Sequence, residues 1–216
     1  MGAHYGNLQK IRDGKRTYAI TPFIPAGFIL PDTLIKISEV TKKYNGVLKI
    51  TSGQRIMITN LKEEDLPIIW EELGMEPGVK SQYSVKNVEM CPAGFCKRSK
   101  YNTIGIGMKL LNKFYGAEMP NRTKIGVAGC RNACGSVYAR DVGVIADKPG
   151  FIVVAGGSAG FNPRLADIIA KDISEKEAYE LVERILKFYN ETATFGEKLG
   201  DFIDRIGLEE FKKSVL

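Results

Sequence analysis

The chain has 216 residues, 44% of them hydrophobic and 26% charged. That is the make-up of an ordinary globular protein with room for one large domain or two small ones, and no apolar run nears the ~20 residues that span a bilayer. The formal charge of +6 comes from Lys and Arg scattered among Asp and Glu, with no basic tail or aromatic-studded stripe, which argues against nucleic acid and for an anionic small molecule or an acidic redox partner.

In chain order, Met1 to Lys10 is polar and lacks the apolar core of a signal peptide, so the expected location is the cytoplasm. Thr17 to Ile20 reads as a strand ended by Pro22. Asp32 is placed to cap a helix running to about Tyr44, with Leu34, Ile37, Val40 and Thr41 on one face. Val47 to Thr51 and Arg55 to Thr59 read as two strands across a Ser-Gly-Gln turn. Glu63, Glu64 and Asp65 open a short helix to Leu73. This β-α-β-β-α order predicts a small ferredoxin-like α+β unit over residues 1–78, ending near Met75-Glu-Pro-Gly.

Residues 79–216 open with an extended segment, Val85 to Glu89. Lys97 to Tyr115 carries Ile104, Met108, Leu111 and Tyr115 at helical spacing, interrupted by Gly105 and Gly107. Lys124 to Ala128, Val142 to Ala146 and Phe151 to Ala155 read as strands, the last two joined by a Lys-Pro-Gly turn. Gly156 to Gly160 is a tight loop. Ser174 and Glu177 form a capping box for a helix whose inner face is Ala178, Leu181, Val182, Ile185, Leu186 and Tyr189. A last helix covers Leu208 to Val215. The fold class is therefore α+β, with a mixed α/β second domain.

The four cysteines stand in two close pairs, Cys91 with Cys96 and Cys130 with Cys134. In a cytoplasmic chain such pairs point to metal ligation or redox chemistry before a disulfide framework. Four thiolates suit zinc or iron–sulfur. Unequal spacings of four and three intervening residues fit a cubane better than one zinc ion, while buried thiols stay open as the plain alternative. Pro92, Ala93, Gly94, Ala128, Gly129, Ala133 and Gly135 keep the backbone beside them free of bulk. Cations gather nearby: Lys97, Arg98, Lys100, Arg131 and Arg140. Arg122 and Lys124 are two apart in an extended segment, so their side chains point the same way. A few residues before Cys130, they suggest an oxyanion site beside a redox centre, to which Arg55 could add a third cation. His4, the only histidine, reads as a solvated residue.

These residues together resemble the siroheme-dependent nitrite and sulfite reductases. Ile24-Pro-Ala-Gly27 and Lys49-Ile-Thr-Ser-Gly-Gln-Arg-Ile56 are similar to that family's ferredoxin-like half-domain. Cys91 and Cys96, Arg122-Thr-Lys124, Gly129-Cys130 and Cys134-Gly135, Asp141-Val-Gly-Val144 and the Gly156-Gly157 loop are similar to its siroheme and cluster part. The resemblance implies that Cys91, Cys96, Cys130 and Cys134 ligate a [4Fe-4S] cluster, and that Cys134 also bridges to siroheme. It implies further that Asn132, Arg98, Arg131, Gly156 and Gly157 border the cofactors, and that Arg55, Arg122 and Lys124 handle a small anion, sulfite or nitrite. The first pair has four intervening residues where the family usually has five, and the second lacks a proline often found there. Large relatives duplicate this unit, one half lending basic residues to the other. A single copy leaves room for a homodimer. No flavin or nicotinamide domain fits in this length, so a ferredoxin or a reductase subunit would supply electrons. A non-catalytic iron–sulfur carrier without siroheme is the alternative.

Overall fold

The structure, a computed structural model, describes residues 6–8, 11, 14 and 16–216. His4 lies outside the described residues. The chain divides into two compact units, Met1–Lys80 and Ser81–Leu216.

The first unit is an antiparallel sheet of β1 (Asn7–Leu8), β2 (Tyr18–Ile20), β4 (Ile56–Leu61) and β3 (Val47–Ile50), in that spatial order. Helices α1 (Pro31–Lys43) and α2 (Leu66–Leu73) close it. Ile20, Ile37, Ile58, Leu61, Ile69 and Leu73 share one buried apolar cluster, so both helices and the two inner strands contribute to one core. The expected cap at Asp32 is not formed. The helix starts one residue earlier, at Pro31, with Leu30 as its N-cap and Asp32 in the first turn. Proline at the first position needs no hydrogen-bond partner and already has a helical φ. In the same way α2 starts at Leu66, after the acidic residues expected to open it. Gly74 then ends α2 in a left-handed conformation, φ 58°.

The second unit is a five-stranded mixed sheet in the order β5 (Val85–Met90), β6 (Thr123–Ala128), β7 (Val142–Ala146), β8 (Phe151–Ala155), β9 (Asp167–Ile173). The first three strands are parallel and the last three antiparallel. Every residue of β7 and β8 is buried, as expected of apolar runs covered on both faces. Helix α3 (Ile104–Phe114) crosses from β5 to β6. It is shorter than the expected Lys97–Tyr115 because residues 97–103 form the loop after Cys96; Lys100 N donates to Gly129 O at 2.6 Å. Gly107 is what lets α3 lie on β5, since a Cβ there would sit 1.9 Å from Met90 Sδ. In α4 (Glu175–Thr192) the capping box is present: Glu177 N donates to Ser174 Oγ (3.2 Å), and Ser174 N donates to Glu177 Oε2 (2.8 Å).

Two elements of this unit were absent from the sequence reading, β9 and α5 (Leu199–Ile206), which precedes α6 (Leu208–Val215). An isolated eight-residue helix does not hold its shape in water. α5 is kept by burial of Leu199, Phe202 and Ile203, with Phe202 packed against Phe188, Tyr189 and Phe211. Among the described residues no helix is long and apolar enough to cross a membrane.

Candidate functional site

Parallel pairing brings the two cysteine loops to one edge of the sheet. β5 and β6 run side by side with Met90 opposite Val127, so the chain leaves both strands at the same edge. Cys91 N donates to Val127 O at 3.1 Å, and Gly129 N donates to Cys91 Sγ at 3.1 Å. The two loops touch at Gly129. A Cβ on that residue would lie 2.1 Å from Ser99 Oγ and 3.3 Å from Ala93 Cα. Asn132 Nδ2 donates to Cys134 Sγ at 2.9 Å. All four thiols are free; Cys91 and Cys130 are half-buried, Cys96 and Cys134 exposed.

This donor set fits an iron–sulfur cluster. Soft thiolates on adjoining loops, with N–H groups aimed at sulfur, are the features that hold such a group and tune its potential. Among the described residues no three His, Cys, Asp or Glu side chains gather as a ready-made single-ion site. Arg98 and Arg131 are exposed on these same loops, Arg131 Nε lying 3.4 Å from Asp147 Oδ2.

The remaining cations gather elsewhere. Gly126 and Gly143 are opposite one another on β6 and β7. A Cβ at Gly143 would meet Val137 Cγ1 at 2.3 Å, and one at Gly126 would meet Val137 Cα at 3.2 Å. These two glycines let the chain after Cys134 lie down on the sheet as a 3-10 turn, Val137–Ala139. That turn delivers Arg140 and Asp141 to the start of β7. There a cavity of about 90 Å³ is lined by Arg122, Lys124, Arg140, Asp141, Lys198 and the loop from Gly157 to Gly160. Gly157 packs on the turn, where a Cβ would be 2.3 Å from Tyr138 O. Gly156 (φ +85°) accepts a 3.0 Å bond on its carbonyl from Arg164 Nη1. Arg164 also pairs with Asp167 (2.6 Å) and Asp204 (2.7 Å), which anchors the loop.

Arg122 and Lys124 do share one cavity, as two residues of like facing on a strand must. Along the chain they lie at the end of β6 away from Cys130. Lys124 and Ala128 are four residues apart on an extended strand, about 13 Å, and Cys130 lies beyond. Arg55 belongs to the first unit, where its Nη1 donates to Gly78 O at 2.9 Å.

The cavity's electrostatics follow from burial. Lys124 N donates to Asp141 Oδ2 at 2.8 Å. Burial holds the Lys124 ammonium pKa below the ordinary lysine value; Glu89 and Asp141 oppose this, while Arg140 and Arg122 reinforce it. Burial also pushes the Asp141 carboxyl up to about 6, against the pull of the Lys124 N–H. Arg140 forms a buried ion pair with Glu89, in which Glu89 Oε1 and Arg140 Nε keep no partner. Sequence reasoning gave no cavity role to Arg140, Asp141 or Lys198. Lys198 carries no local signal, because only the packing of α5 brings it there. A larger groove, about 730 Å³ between α3 and α4, holds none of the cysteines and none of these cations.

Against known proteins, residues 81–216 match the nitrite and sulphite reductase 4Fe-4S domain, and residues 9–76 match the nitrite/sulfite reductase ferredoxin-like half domain. The chain belongs to the nitrite and sulfite reductase family. A relative from Nitratidesulfovibrio vulgaris, named "Sulfite reductase, assimilatory-type", is 34% identical over 204 residues, 94% of each chain. The nitrite reductase [NAD(P)H] large subunit of Klebsiella oxytoca is 32% identical over 99% of this chain, which spans only 22% of that protein. Among solved structures, dissimilatory sulfite reductase I superposes with a TM-score of 0.81 at 16% identity, covering 93% of this chain and 69% of that one. NirA of Mycobacterium tuberculosis gives 0.78 at 16% identity, over 94% and 40%. Both share the fold of this family member.

Proposed function

We propose that this chain reduces sulfite to sulfide, or nitrite to ammonia, at a siroheme coupled to a [4Fe-4S] cluster. The observation that carries the reading is the parallel pairing of β5 with β6, which sets four free cysteines on two adjoining loops. Sulfite is the preferred substrate, because the assimilatory-type sulfite reductase is matched over 94% of its own length while the Klebsiella oxytoca nitrite reductase subunit is matched over 22% of its length. Either reaction consumes six electrons, with protons that turn the departing oxygens into water and that protonate the reduced sulfur or nitrogen. When bound, the cluster and siroheme would supply the single-electron chemistry, and the protein would supply orientation, charge and protons.

In this reading Cys91, Cys96, Cys130 and Cys134 would hold the cluster, and Cys134 would also serve the siroheme. The donors from Gly129 and Asn132 stabilise charge on Cys91 and Cys134. Arg98 and Arg131 are available to siroheme carboxylates, and Gly156 and Gly157 border the cofactor. Arg122 neutralises the anion and fixes its oxygens. Lys124, its pKa lowered by burial, is tuned to give up a proton more readily than an ordinary lysine. Because Lys124 stands a strand's length from its own cysteines, a second copy of the chain is proposed to bring its cations to them in a homodimer. An external, acidic donor such as a ferredoxin or a reductase subunit suits the chain's charge of +6.

The test is an anaerobic absorption spectrum of the purified protein with iron and acid-labile sulfide counted on the same sample, followed by sulfite and nitrite turnover. A Soret band, with one iron beyond those of the cluster, and turnover of either anion are expected. An iron–sulfur shoulder without a Soret band, after expression with ample siroheme, would convert the reading to an electron carrier. Zinc in place of iron would end it.

A further inference from the structure

The cavity at the start of β6 contains four cations and one acid. The acid is not placed like a counter-ion at the rim. Asp141 sits where the chain enters β7, and its Oδ2 accepts the backbone N–H of Lys124 at 2.8 Å. Lys124 of β6 and Lys198 at the start of α5 act on its charge, while Arg122, just before β6, and Arg140, from the turn before β7, line the same cavity. On the α4 side Tyr189 packs beneath. Its hydroxyl donates to Glu197 O at 2.6 Å, and its own pKa is raised by burial first and then by the Asp141 charge. Glu89, paired with Arg140, is the other acid that acts on Lys124.

An oxyanion entering this cavity of about 90 Å³ shares its lining with this acid as well as with the cations. Two negative groups sharing such a site cannot both stay charged at no cost; the weaker acid takes a proton.

We propose that Asp141 couples entry of a small oxyanion into this cavity to the uptake of one proton on its own carboxyl. This rests on the reading of Arg122 and Lys124 as anion-binding residues. The free carboxyl, raised by burial to about 6, is mostly ionised at neutral pH, so it has a proton to gain. The proton arrives with the anion and is held next to Lys124. Asp141 is thus a positioning residue that loads the site with a proton as well as with substrate.

Titration calorimetry of sulfate into the holoenzyme, in two buffers of different ionisation enthalpy, counts protons taken up for each anion bound. Sulfate keeps its charge across pH 5 to 9 and is a poor ligand for iron. If binding raises the carboxyl by one unit, about half a proton is taken up near pH 6.5, and affinity falls roughly fourfold between pH 6 and 7.5. In Asp141→Asn, whose amide oxygen can still accept the Lys124 N–H, sulfate still binds, no proton is taken up, and the pH dependence flattens. Wild-type protein that takes up no proton overturns the proposal, whether or not the variant folds. So does uptake that persists in Asp141→Asn, which puts the proton on another group of the cavity such as Lys124. Separately, sulfate affinity unchanged in both Arg122→Met and Lys124→Met would overturn the anion-binding reading itself.

Discussion

Gly129→Ala tests how the cysteine loops are built. The backbone of Gly129 is not in the left-handed region, so alanine brings no conformational strain there and the effect is steric. The new Cβ would be 2.1 Å from Ser99 Oγ, 3.1 Å from Ser99 Cβ and 3.3 Å from Ala93 Cα. Ser99 cannot turn away freely, because its hydroxyl donates to Tyr101 O (2.6 Å) and contacts Gly129 O (3.2 Å). Overpacking of this kind costs about 1–3 kcal/mol, to which the disturbed hydrogen bonds add about 1 kcal/mol. Ser99→Ala alone should cost about 1 kcal/mol. The double variant loses the 2.1 Å clash and keeps only contacts of 3.1 and 3.3 Å, so it should be more stable than the sum of the singles by about 1 kcal/mol or more. The chain's one tryptophan, Trp70, lies in the first unit. Urea unfolding must therefore be followed by circular dichroism, and site integrity by the rate at which a chelator removes iron. A Gly129→Ala protein as stable as the parent, or strictly additive variants, would refute the tight contact between the loops.

Arg140→Met should destabilise the second unit by about 3–5 kcal/mol, since it strands the Glu89 carboxylate, whose side chain is 2% exposed; the companion variant Glu89→Gln with Arg140→Met should recover much of this in the same urea assay. Asp141 has a folded pKa near 6 against an ordinary 3.8. The folded state therefore binds its proton more tightly, and the penalty is full above pH 6 and absent below pH 3.8. Asp141→Asn should accordingly be more stable than the parent at pH 7.5, by up to about 3 kcal/mol, with the gap closing by pH 4; a gap that widens on acidification contradicts the sign. Cys134→Ser should abolish turnover by removing the shared ligand, and Lys124→Met should lower it about 10²-fold or more while leaving the cofactor spectrum intact. Mixing the two inactive chains under conditions of subunit exchange should restore part of the activity if each copy supplies cations to the other; no recovery from exchanged mixtures counts against the homodimer.

Local chemistry was readable from the residues alone. The continuous apolar runs Val142–Ala146 and Phe151–Ala155 are β7 and β8 to the residue, because strands buried on both faces need no polar alternation. Ser174 and Glu177 announced the start of α4, because a capping box is satisfied within four residues. The paired cysteines with their small neighbours stated a donor set before any fold was known. Boundaries slipped where a neighbour in space overrode a neighbour in sequence: α3 lost its expected first turns to the loop that must reach Gly129.

What tertiary structure alone decided is long-range. Whether β5 and β6 run parallel, and so whether the two cysteine loops leave the sheet at one edge, depends on a crossover through α3 that no short window contains. Gly126 and Gly143 look like weak points in two strands until they are found opposite each other, with Val137 filling the space. Arg122 and Lys124 stand near Cys130 in sequence yet about a strand's length away in space, because an extended chain gains ~3.3 Å with every residue. Lys198 enters the cavity only because α5 is held by buried aromatic side chains. Ligand type and local cap are properties of adjacent atoms, so sequence determined them; the distance between the thiols and the cations is a property of how strands align, and only the folded chain sets it.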